Sequence, residues 1–292
     1  MTSPMTGSGR RARLRALLAG NAPVFPASVH DPLSVRVAGD LGFEMAMLAG
    51  SVASLAVLGA PDLALLTLSE LAGLVRRISR AAEIPLFVDG DHGYGNALNV
   101  RRTVEELEIA GAAGLSIEDT ALPAPFGGAP GFISREEGVG KIVAALAART
   151  DPALVIAART GVITALGHEE AIARARAYAA AGADALFLTG ITARDELDAI
   201  AGAVSLPLIL GTLTPALDDR AYLAARGVRM ALLGHAPFQA GFAATAAALK
   251  SLRAGVKPST LAHPEEAALL QASARESQYR AAMAAYLTKP EM

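Results

Sequence analysis

Eight short apolar stretches alternate with helical patterns along most of this chain, and this repeat constrains the fold more than any other feature. The stretches begin near residues 23, 43, 85, 114, 154, 185, 207 and 228, about 29 residues apart on average. That spacing suits one strand–helix unit apiece. Several stretches are uninterrupted apolar runs, as expected for parallel strands buried on both faces. Eight such units predict an α/β protein with a (β/α)₈ TIM-barrel fold.

An open, doubly wound sheet is the alternative architecture, but no glycine-rich dinucleotide fingerprint follows the first strand to support it. The 292 residues are predicted to form one barrel domain over 1–292, since such barrels commonly reach roughly 250 residues. Residues 1–9 are predicted to be disordered, and residues 263–292 to form a C-terminal helical extension. Residues 120–132 are rich in glycine and proline and are predicted to form an irregular loop.

The composition excludes several classes of function. With 26 basic and 28 acidic side chains the net charge is −2, and no basic stripe points to nucleic acid or an anionic membrane. The chain has no cysteine, which removes disulfides, zinc–thiolate sites and a cysteine nucleophile. Two long uncharged stretches, 45–61 and 230–249, are interrupted by Gly, Ser or Pro and are interpreted as buried strands with loops. The sequence therefore predicts a soluble, cytoplasmic protein.

The stretch from Pro85 to Asn99 carries the most distinctive chemistry. A short apolar strand ends in Asp89 and Asp91, which point the same way on an extended backbone because they are two positions apart. Two like charges on one face repel each other, and a hard divalent cation such as Mg²⁺ would relieve that repulsion. A solvated turn is the alternative, since Asp and Gly are common turn residues.

Polar side chains follow most of the predicted strands, at the barrel end where active sites form. From the second strand to the eighth these are Ser51, Asp89 with Asp91, Glu118, Arg159, Thr189, Thr212 and His235. A metal site, an anion anchor and a proton carrier could all be built from this set. Structural roles stay open for three positions: an ion pair at the rim for Arg159, a helix-start histidine for His235, and a helix cap for one of Glu118 and Asp119.

Three motifs together resemble the isocitrate lyase/phosphoenolpyruvate mutase superfamily over about residues 22–242. They are Asp89-Gly-Asp-His-Gly-Tyr-Gly-Asn96, Ile117-Glu-Asp119 and Ala158-Arg-Thr160. The resemblance implies a Mg²⁺-dependent barrel, with Mn²⁺ as the alternative ion, that acts on 2-keto or 2-hydroxy carboxylic acids at a C–C or P–C bond. It also implies a homotetramer, a dimer of dimers that exchange the last helix.

The loop after Glu118 separates the branches of that superfamily. Lyase members have a cysteine in this loop, and phosphonate-processing members use a lysine and an asparagine there. Residues 120–134 contain none of these three residue types. The chain therefore resembles the oxaloacetate decarboxylase branch, whose histidine after the last strand corresponds to His235. The alternatives are another C–C lyase or hydrolase of the same superfamily acting on a larger 2-keto or 2-hydroxy acid, and a metabolite-binding barrel without activity.

The resemblance also assigns roles to individual residues. Asp89 is expected to bind the metal directly, and three further acids to hold metal-bound waters: Asp62, Asp91 and Glu118. The substrate-binding residues are expected to be Gly50, Ser51, Val52, Arg159 and His235. Arg159 would pair with a substrate carboxylate, and His235, with an unshifted pKa, would orient the leaving carboxylate or donate a proton to the enolate. The metal would stabilise the enolate as a Lewis acid.

Overall fold

The structure of the protein is a computed structural model that describes residues 5–128 and 131–287. The chain divides into two compact units, Met1–Ala236 and Pro237–Met292. The boundary lies earlier than the predicted start of the C-terminal extension at 263, because the helix before that point already belongs to the second unit. The assignment of 1–292 to a single domain stays a prediction.

The described residues of the first unit form ten β-strands. In chain order they are β1 (Ala27–Ser28), β2 (Ala46–Leu48), β3 (Leu86–Asp89), β4 (Gly114–Glu118), β5 (Thr120–Ala121), β6 (Gly131–Phe132), β7 (Val155–Thr160), β8 (Ala185–Leu188), β9 (Leu208–Leu210) and β10 (Val228–Ala231). Eight of them form one parallel sheet in sequential order, and β5 pairs with β6 in a separate antiparallel hairpin. A bridge between Val24 and Met230 joins the last strand to the segment before the first. The sheet therefore curls round on itself, which confirms the predicted barrel.

The described residues also form helices, which alternate with the strands in the first unit and make up most of the second. They are α1 (Gly7–Leu18), α2 (Pro32–Asp40), α3 (Gly50–Leu58), α4 (Leu68–Ala81), α5 (Ala97–Ala110), α6 (Arg135–Ala148), α7 (Ile163–Ala180), α8 (Arg194–Ala201), α9 (Arg220–Ala225), α10 (Ala236–Arg253), α11 (Pro258–Leu261), α12 (Pro264–Ser273) and α13 (Glu276–Leu287). Among the described residues, no helix combines the length and apolar content needed to cross a bilayer.

Strand β3 illustrates how alternation places side chains in two layers. Leu86 and Val88 are fully buried and belong to the apolar cluster that the helices share with the sheet. Phe87, between them, packs edge-on against Phe187 at a ring-centroid distance of 6.5 Å. Because Asp89 has the same parity as Phe87, the strand directs its carboxylate to the side of the sheet that Phe87 faces.

Four predicted boundaries were wrong. Residues 7–9 lie in helix α1, with Thr6 as its N-cap, whereas residues 1–4 lie outside the described residues. The expected first strand at Pro23–Phe25 is reduced to the Val24 bridge, and β1 starts at Ala27. The 120–132 loop carries the hairpin β5–β6 rather than being entirely irregular. The sequence also predicts a helix over 215–226, but the helix begins only at Arg220, because Asp219 caps it.

Helix α3 was not predicted, since its sequence is almost uniformly apolar and no side chain caps its start. In the second unit, α10 and α13 bury no residue at all. Large apolar side chains such as Phe242 and Tyr286 are 71% and 83% exposed. These helices thus leave a large apolar area exposed.

Candidate active site

Three charged side chains meet where neighbouring parallel strands end. Asp89 is the last residue of β3, Glu118 is the last residue of β4, and Arg159 is the penultimate residue of β7. Glu118 and Arg159 are direct register partners, so their side chains leave the sheet side by side. The sequence-based placement of these residues at one rim of the barrel agrees with this arrangement.

Asp89 is at the centre of this group. Its Oδ2 atom accepts a hydrogen bond from Arg159 Nη1 at 2.5 Å. Its Oδ1 atom accepts from Ser116 Oγ at 3.3 Å and from the backbone N–H of Asp91 at 3.2 Å. Asp89 is only 7% exposed, so these hydrogen-bond donors compensate for the hydration that its carboxylate loses on burial.

Arg159 pairs with two acids at once. Its Nε atom lies 3.0 Å from Glu118 Oε2, in addition to its contact with Asp89. The guanidinium also lies over the ring of Phe187, 5.4 Å from its centroid. Burial alone would lower the pKa of Arg159, but the negative charges of Asp89 and Glu118 outweigh that effect and raise it. In the absence of a ligand, Arg159 therefore forms the ion pair at the barrel rim that the sequence left open as its structural role.

Asp91 and Glu118 are buried acids with strongly raised pKa values. Burial, followed by repulsion from Asp89, raises the pKa of Asp91 to about 8. Burial also raises the pKa of Glu118 to about 7, although Arg159 acts in the opposite direction. Asp91 has a left-handed backbone with φ of 51°, an unusual conformation for a residue other than glycine. One arginine does not neutralise this cluster of acids, and a further cation would restore their ordinary ionisation.

Asp62 reaches the same region from the segment between α3 and α4. The residue as a whole is exposed. Lost hydration around its carboxylate raises its pKa, and the charge of Asp89 raises it further. Asp62 is therefore the peripheral member of the acid group, and its role in holding a metal-bound water stays a prediction.

The first turn of α3 contains the three predicted carboxylate-binding residues, Gly50, Ser51 and Val52. The backbone N–H of Gly50 lies 3.4 Å from Asp89 Oδ2, which places this helix start beside the acid group. A side chain at position 50 would contact the carboxylates of Asp89 and Asp91. Because N–H groups in a first helical turn have no partner within the helix, they can receive an anion.

His235 lies after β10, with its Nδ1 atom 3.1 Å from Ser28 Oγ. Burial lowers its pKa below the usual value, and the charges of Asp89 and Asp62 only partly offset that effect. The expectation of an unshifted pKa was therefore wrong, because the ring is half-buried. Because the charges of Asp89 and Asp62 act on the pKa of His235, the ring lies close enough to these acids to interact with them electrostatically.

The donor set suits a hard divalent cation. Asp89, Asp91 and Glu118 offer buried carboxylate oxygens, the ligands that Mg²⁺ and Mn²⁺ prefer. Within residues 5–128 and 131–287, no three acidic or histidine side chains converge as a complete ligand set. This agrees with the geometry around Asp89, where the Arg159 guanidinium contacts one carboxylate oxygen. The chemistry of the residues therefore fits a metal held partly through water.

Three residues of this site were missed from the sequence. Ser116 lies two residues before Glu118 in β4, so its inward direction could have been read from strand alternation. Ser28 was missed because the first strand was placed too early. No local pattern identifies Phe187, because only the assembled barrel brings its ring beneath Arg159.

Comparison with known proteins finds relatives over nearly the whole chain. The sequence model of the phosphoenolpyruvate phosphomutase family matches residues 14–253. The chain is 56% identical over 284 residues to an oxaloacetate decarboxylase of Bradyrhizobium sp. strain BTAi1, covering 97% of this chain and 99% of the relative. It is 59% identical over 258 residues to an oxaloacetate decarboxylase of Rhodopseudomonas palustris strain BisB18, covering 88% of this chain and 90% of the relative.

Solved structures give the same relationship. An oxaloacetate acetylhydrolase superposes with a TM-score of 0.83 at 29% identity, covering 97% of this chain and all of the other. A phosphonopyruvate hydrolase in complex with oxalate and Mg²⁺ superposes with a TM-score of 0.81 at 30% identity, covering 96% and 99% of the two chains. The chain therefore belongs to the phosphoenolpyruvate phosphomutase family, within the isocitrate lyase/phosphoenolpyruvate mutase superfamily.

Proposed function

We propose that this protein is a carbon–carbon lyase that decarboxylates oxaloacetate, or a closely related 2-keto dicarboxylic acid, to pyruvate and CO₂. The observation that carries the proposal is its 56% identity to an oxaloacetate decarboxylase over 97% of the chain. The site supplies what this reaction needs, which is a buried acid group, an arginine, a helix N-terminus and a histidine around one rim.

A divalent metal, Mg²⁺ or Mn²⁺, is part of the proposal. Asp89 would hold it directly, with Asp62, Asp91 and Glu118 holding waters around it. The buried acids with raised pKa values support this assignment, as does the Mg²⁺ in the phosphonopyruvate hydrolase neighbour. When bound, the metal supplies Lewis-acid stabilisation of the negative charge that develops on the keto oxygen.

Substrate binding is proposed to use two anion sites on the chain. Arg159 can form paired hydrogen bonds with one substrate carboxylate, because its guanidinium presents two parallel N–H groups. The first turn of α3, with Gly50, Ser51 and Val52, can receive a carboxylate through its backbone N–H groups. Two fixed sites orient a dicarboxylate, and this ordering lowers the entropic part of the barrier.

In the reaction, the bond between the methylene carbon and the terminal carboxylate breaks, and CO₂ leaves. The electron pair moves into the keto group, and the resulting enolate takes up one proton at the methylene carbon to give pyruvate. His235 is proposed to orient the leaving carboxylate or to deliver that proton. No base on the 120–134 segment is required, which agrees with the absence of lysine, asparagine and cysteine from it.

The decisive experiment incubates the purified protein with oxaloacetate and Mg²⁺ and measures pyruvate and CO₂ against a control with metal alone. Oxalate and acetate are measured in the same samples, because the oxaloacetate acetylhydrolase neighbours favour hydrolysis as the second candidate reaction. Pyruvate formation above background supports decarboxylation, oxalate and acetate indicate hydrolysis, and binding without any product indicates a non-catalytic barrel. An Asp89→Ala variant is the inactive control.

We also propose that the protein is a homotetramer, a dimer of dimers. The exposed apolar side chains of α10 and α13 support this, since a second copy of the chain would cover them. Cytoplasmic localisation stays a prediction from the sequence.

A further inference from the structure

We infer that Arg174 and Tyr178 of α7 are positioning residues for the active site, which act through Asp119 on the direction of Glu118. The inference rests on the proposed function, since Glu118 is one of the acids proposed to hold the metal. Neither α7 residue is part of the substrate or metal site described above, and both belong to a buried polar cluster behind it.

Asp119 is the centre of this cluster. It is only 2% exposed, and its Oδ2 atom accepts hydrogen bonds from Arg174 Nη1 at 2.9 Å and from Tyr178 Oη at 2.7 Å. The Arg174 side chain is 4% exposed. Burial raises the pKa of the Tyr178 phenol, so it remains a hydrogen-bond donor at neutral pH. Residue 138 is a glycine, and a side chain there would overlap the Tyr178 hydroxyl.

Arg174 also holds the far end of the β5–β6 hairpin. Its Nη2 atom donates to the carbonyl of Ile133 at 2.8 Å, and the backbone N–H of Ile133 donates to the carbonyl of Asp119 at 3.0 Å. The guanidinium carbon lies 6.0 Å from the centre of the Phe132 ring. One arginine therefore joins the residue before the hairpin to the residue after it.

The cluster connects directly to the active site through the backbone. Asp119 follows Glu118, and its N–H lies 3.3 Å from the carbonyl of Arg159. The Glu118 N–H donates to the carbonyl of Asp91 at 2.9 Å. Because Asp119 directly follows Glu118, the last residue of β4, the contacts that hold the Asp119 side chain against α7 restrict the directions open to the Glu118 side chain.

A role in stability alone explains this arrangement poorly. A buried ion pair is weak evidence for stabilisation, because apolar side chains of similar volume often do as well or better. Some buried pairs specify one geometry, and hydrogen-bonding partners that orient carboxylates are a recurring feature of metal sites. The position of the cluster, one residue from Glu118, is where such orientation would matter.

The test compares Arg174→Lys and Tyr178→Phe with a matched control, Arg149→Lys. Arg149 forms an ion pair with Asp184 at 2.6 Å at the opposite end of the barrel strands. For each variant, melting temperature, kcat and KM for oxaloacetate are measured, and Mn²⁺ affinity is measured by electron paramagnetic resonance without substrate. Loss of an outer partner of a metal ligand typically weakens metal binding or activity about 10- to 100-fold.

We expect Arg174→Lys to weaken Mn²⁺ binding about tenfold and to lower kcat about tenfold. Both values are the lower end of the range of about 10- to 100-fold for loss of an outer partner. Tyr178→Phe should have a smaller effect in the same direction, since it removes one hydroxyl and leaves the ion pair in place. Arg149→Lys should lower the melting temperature without changing Mn²⁺ affinity. If Arg174→Lys does not fold, the inference is tested with Tyr178→Phe alone.

The inference is wrong if the folded α7 variants bind Mn²⁺ and turn over as the wild type does, or if Arg149→Lys weakens Mn²⁺ binding equally. A wild-type protein that binds Mn²⁺ but forms no pyruvate refutes the proposed function. In that case, weaker Mn²⁺ binding by Arg174→Lys would still support the positioning role, so the two failures are distinguishable.

Discussion

The carboxylate of Asp89 and the guanidinium of Arg159 form an ion pair of 2.5 Å across the candidate active site. One is the proposed metal ligand and the other the proposed substrate anchor. Because arginine does not lose its proton in proteins, Arg159 supplies a permanent positive charge to the acid group. If Asp89 held a metal ion, part of that neutralisation would come from the metal, and the Arg159 guanidinium would be more available to a substrate carboxylate.

Replacing Arg159 with lysine should lower kcat/KM for oxaloacetate about 100-fold. Lysine keeps the charge but lacks the planar pair of N–H groups, and 100-fold corresponds to about 2.7 kcal/mol of transition-state stabilisation. Steady-state kinetics with Mg²⁺ provides the measurement. Arg15→Lys is the matched control. Arg15 also forms an ion pair, with an Arg15–Asp184 distance of 2.9 Å, but this pair lies outside the candidate site. A kcat/KM at the wild-type level would exclude Arg159 as the substrate anchor.

Addition of Mg²⁺ should stabilise the folded protein, and removal of the metal with EDTA should abolish activity. A ligand at 100 times its Kd stabilises the native state by about 2.7 kcal/mol. Thermal unfolding with and without Mg²⁺ measures the effect, which should be absent in Asp89→Ala. The control, Asp195→Asn, changes an exposed acid on α8 and should retain the full Mg²⁺ shift. Full activity in EDTA would contradict the metal assignment.

Most of the barrel could be predicted from the sequence because its buried strands carry strong apolar runs. The strands that begin at Leu86, Gly114 and Val155 are fully buried over their first residues, and each was placed within one residue of its start. The first strand was misplaced because β1 has only two residues, both partly exposed. Helix α3 was missed because it is apolar on all sides, so it has no amphipathic period to detect.

The candidate site could be predicted only as far as the fold determines it. Residues that follow successive parallel strands must share one rim, which is why Asp89, Glu118 and Arg159 were grouped together. Their pairing was not predictable, because the choice of partner depends on side-chain directions between distant segments. The same holds for Asp119, whose partners Arg174 and Tyr178 lie more than 50 residues away in sequence.

Glutamate substitutions on the exposed apolar faces of α10 and α13 should dissociate the proposed tetramer. Phe242→Glu and Tyr286→Glu would place charges where a second copy is expected to bury apolar area. Light scattering after size exclusion should show four times the 29.8 kDa chain mass for the wild type and a smaller mass for these variants. Gln278→Glu adds the same charge at an exposed polar position of α13. A monomeric wild type would refute the assembly.

Two glycines of helix α6 should respond oppositely to alanine. At Gly138 a side chain would overlap the Tyr178 hydroxyl, whereas at Gly140 it would meet nothing within 4 Å. Gly138→Ala should therefore lower the free energy of unfolding by about 1–3 kcal/mol through overpacking. Gly140→Ala should raise it by about 0.5–1 kcal/mol, because alanine is the better helix former. Urea unfolding measures both, and equal effects would contradict the close packing at Gly138.

The pH dependence of kcat/KM should distinguish the two proposed roles of His235. Burial places its pKa below the ordinary value of about 6.5, so the ring is neutral at pH 7. Protonation below pH 6.5 favours the unfolded chain, which binds that proton more tightly, so its contribution to stability falls as the pH falls.

If the neutral ring orients the leaving carboxylate, kcat/KM should be constant from pH 8 to about 6.5 and should decline at lower pH, as the ring becomes charged. In His235→Gln that decline should disappear, while the plateau falls by about 100-fold because a positioning group is lost. A protonated ring acting as donor predicts the reverse, with kcat/KM rising as the pH falls towards 6. Wild-type activity of His235→Gln at every pH would remove the histidine from the reaction.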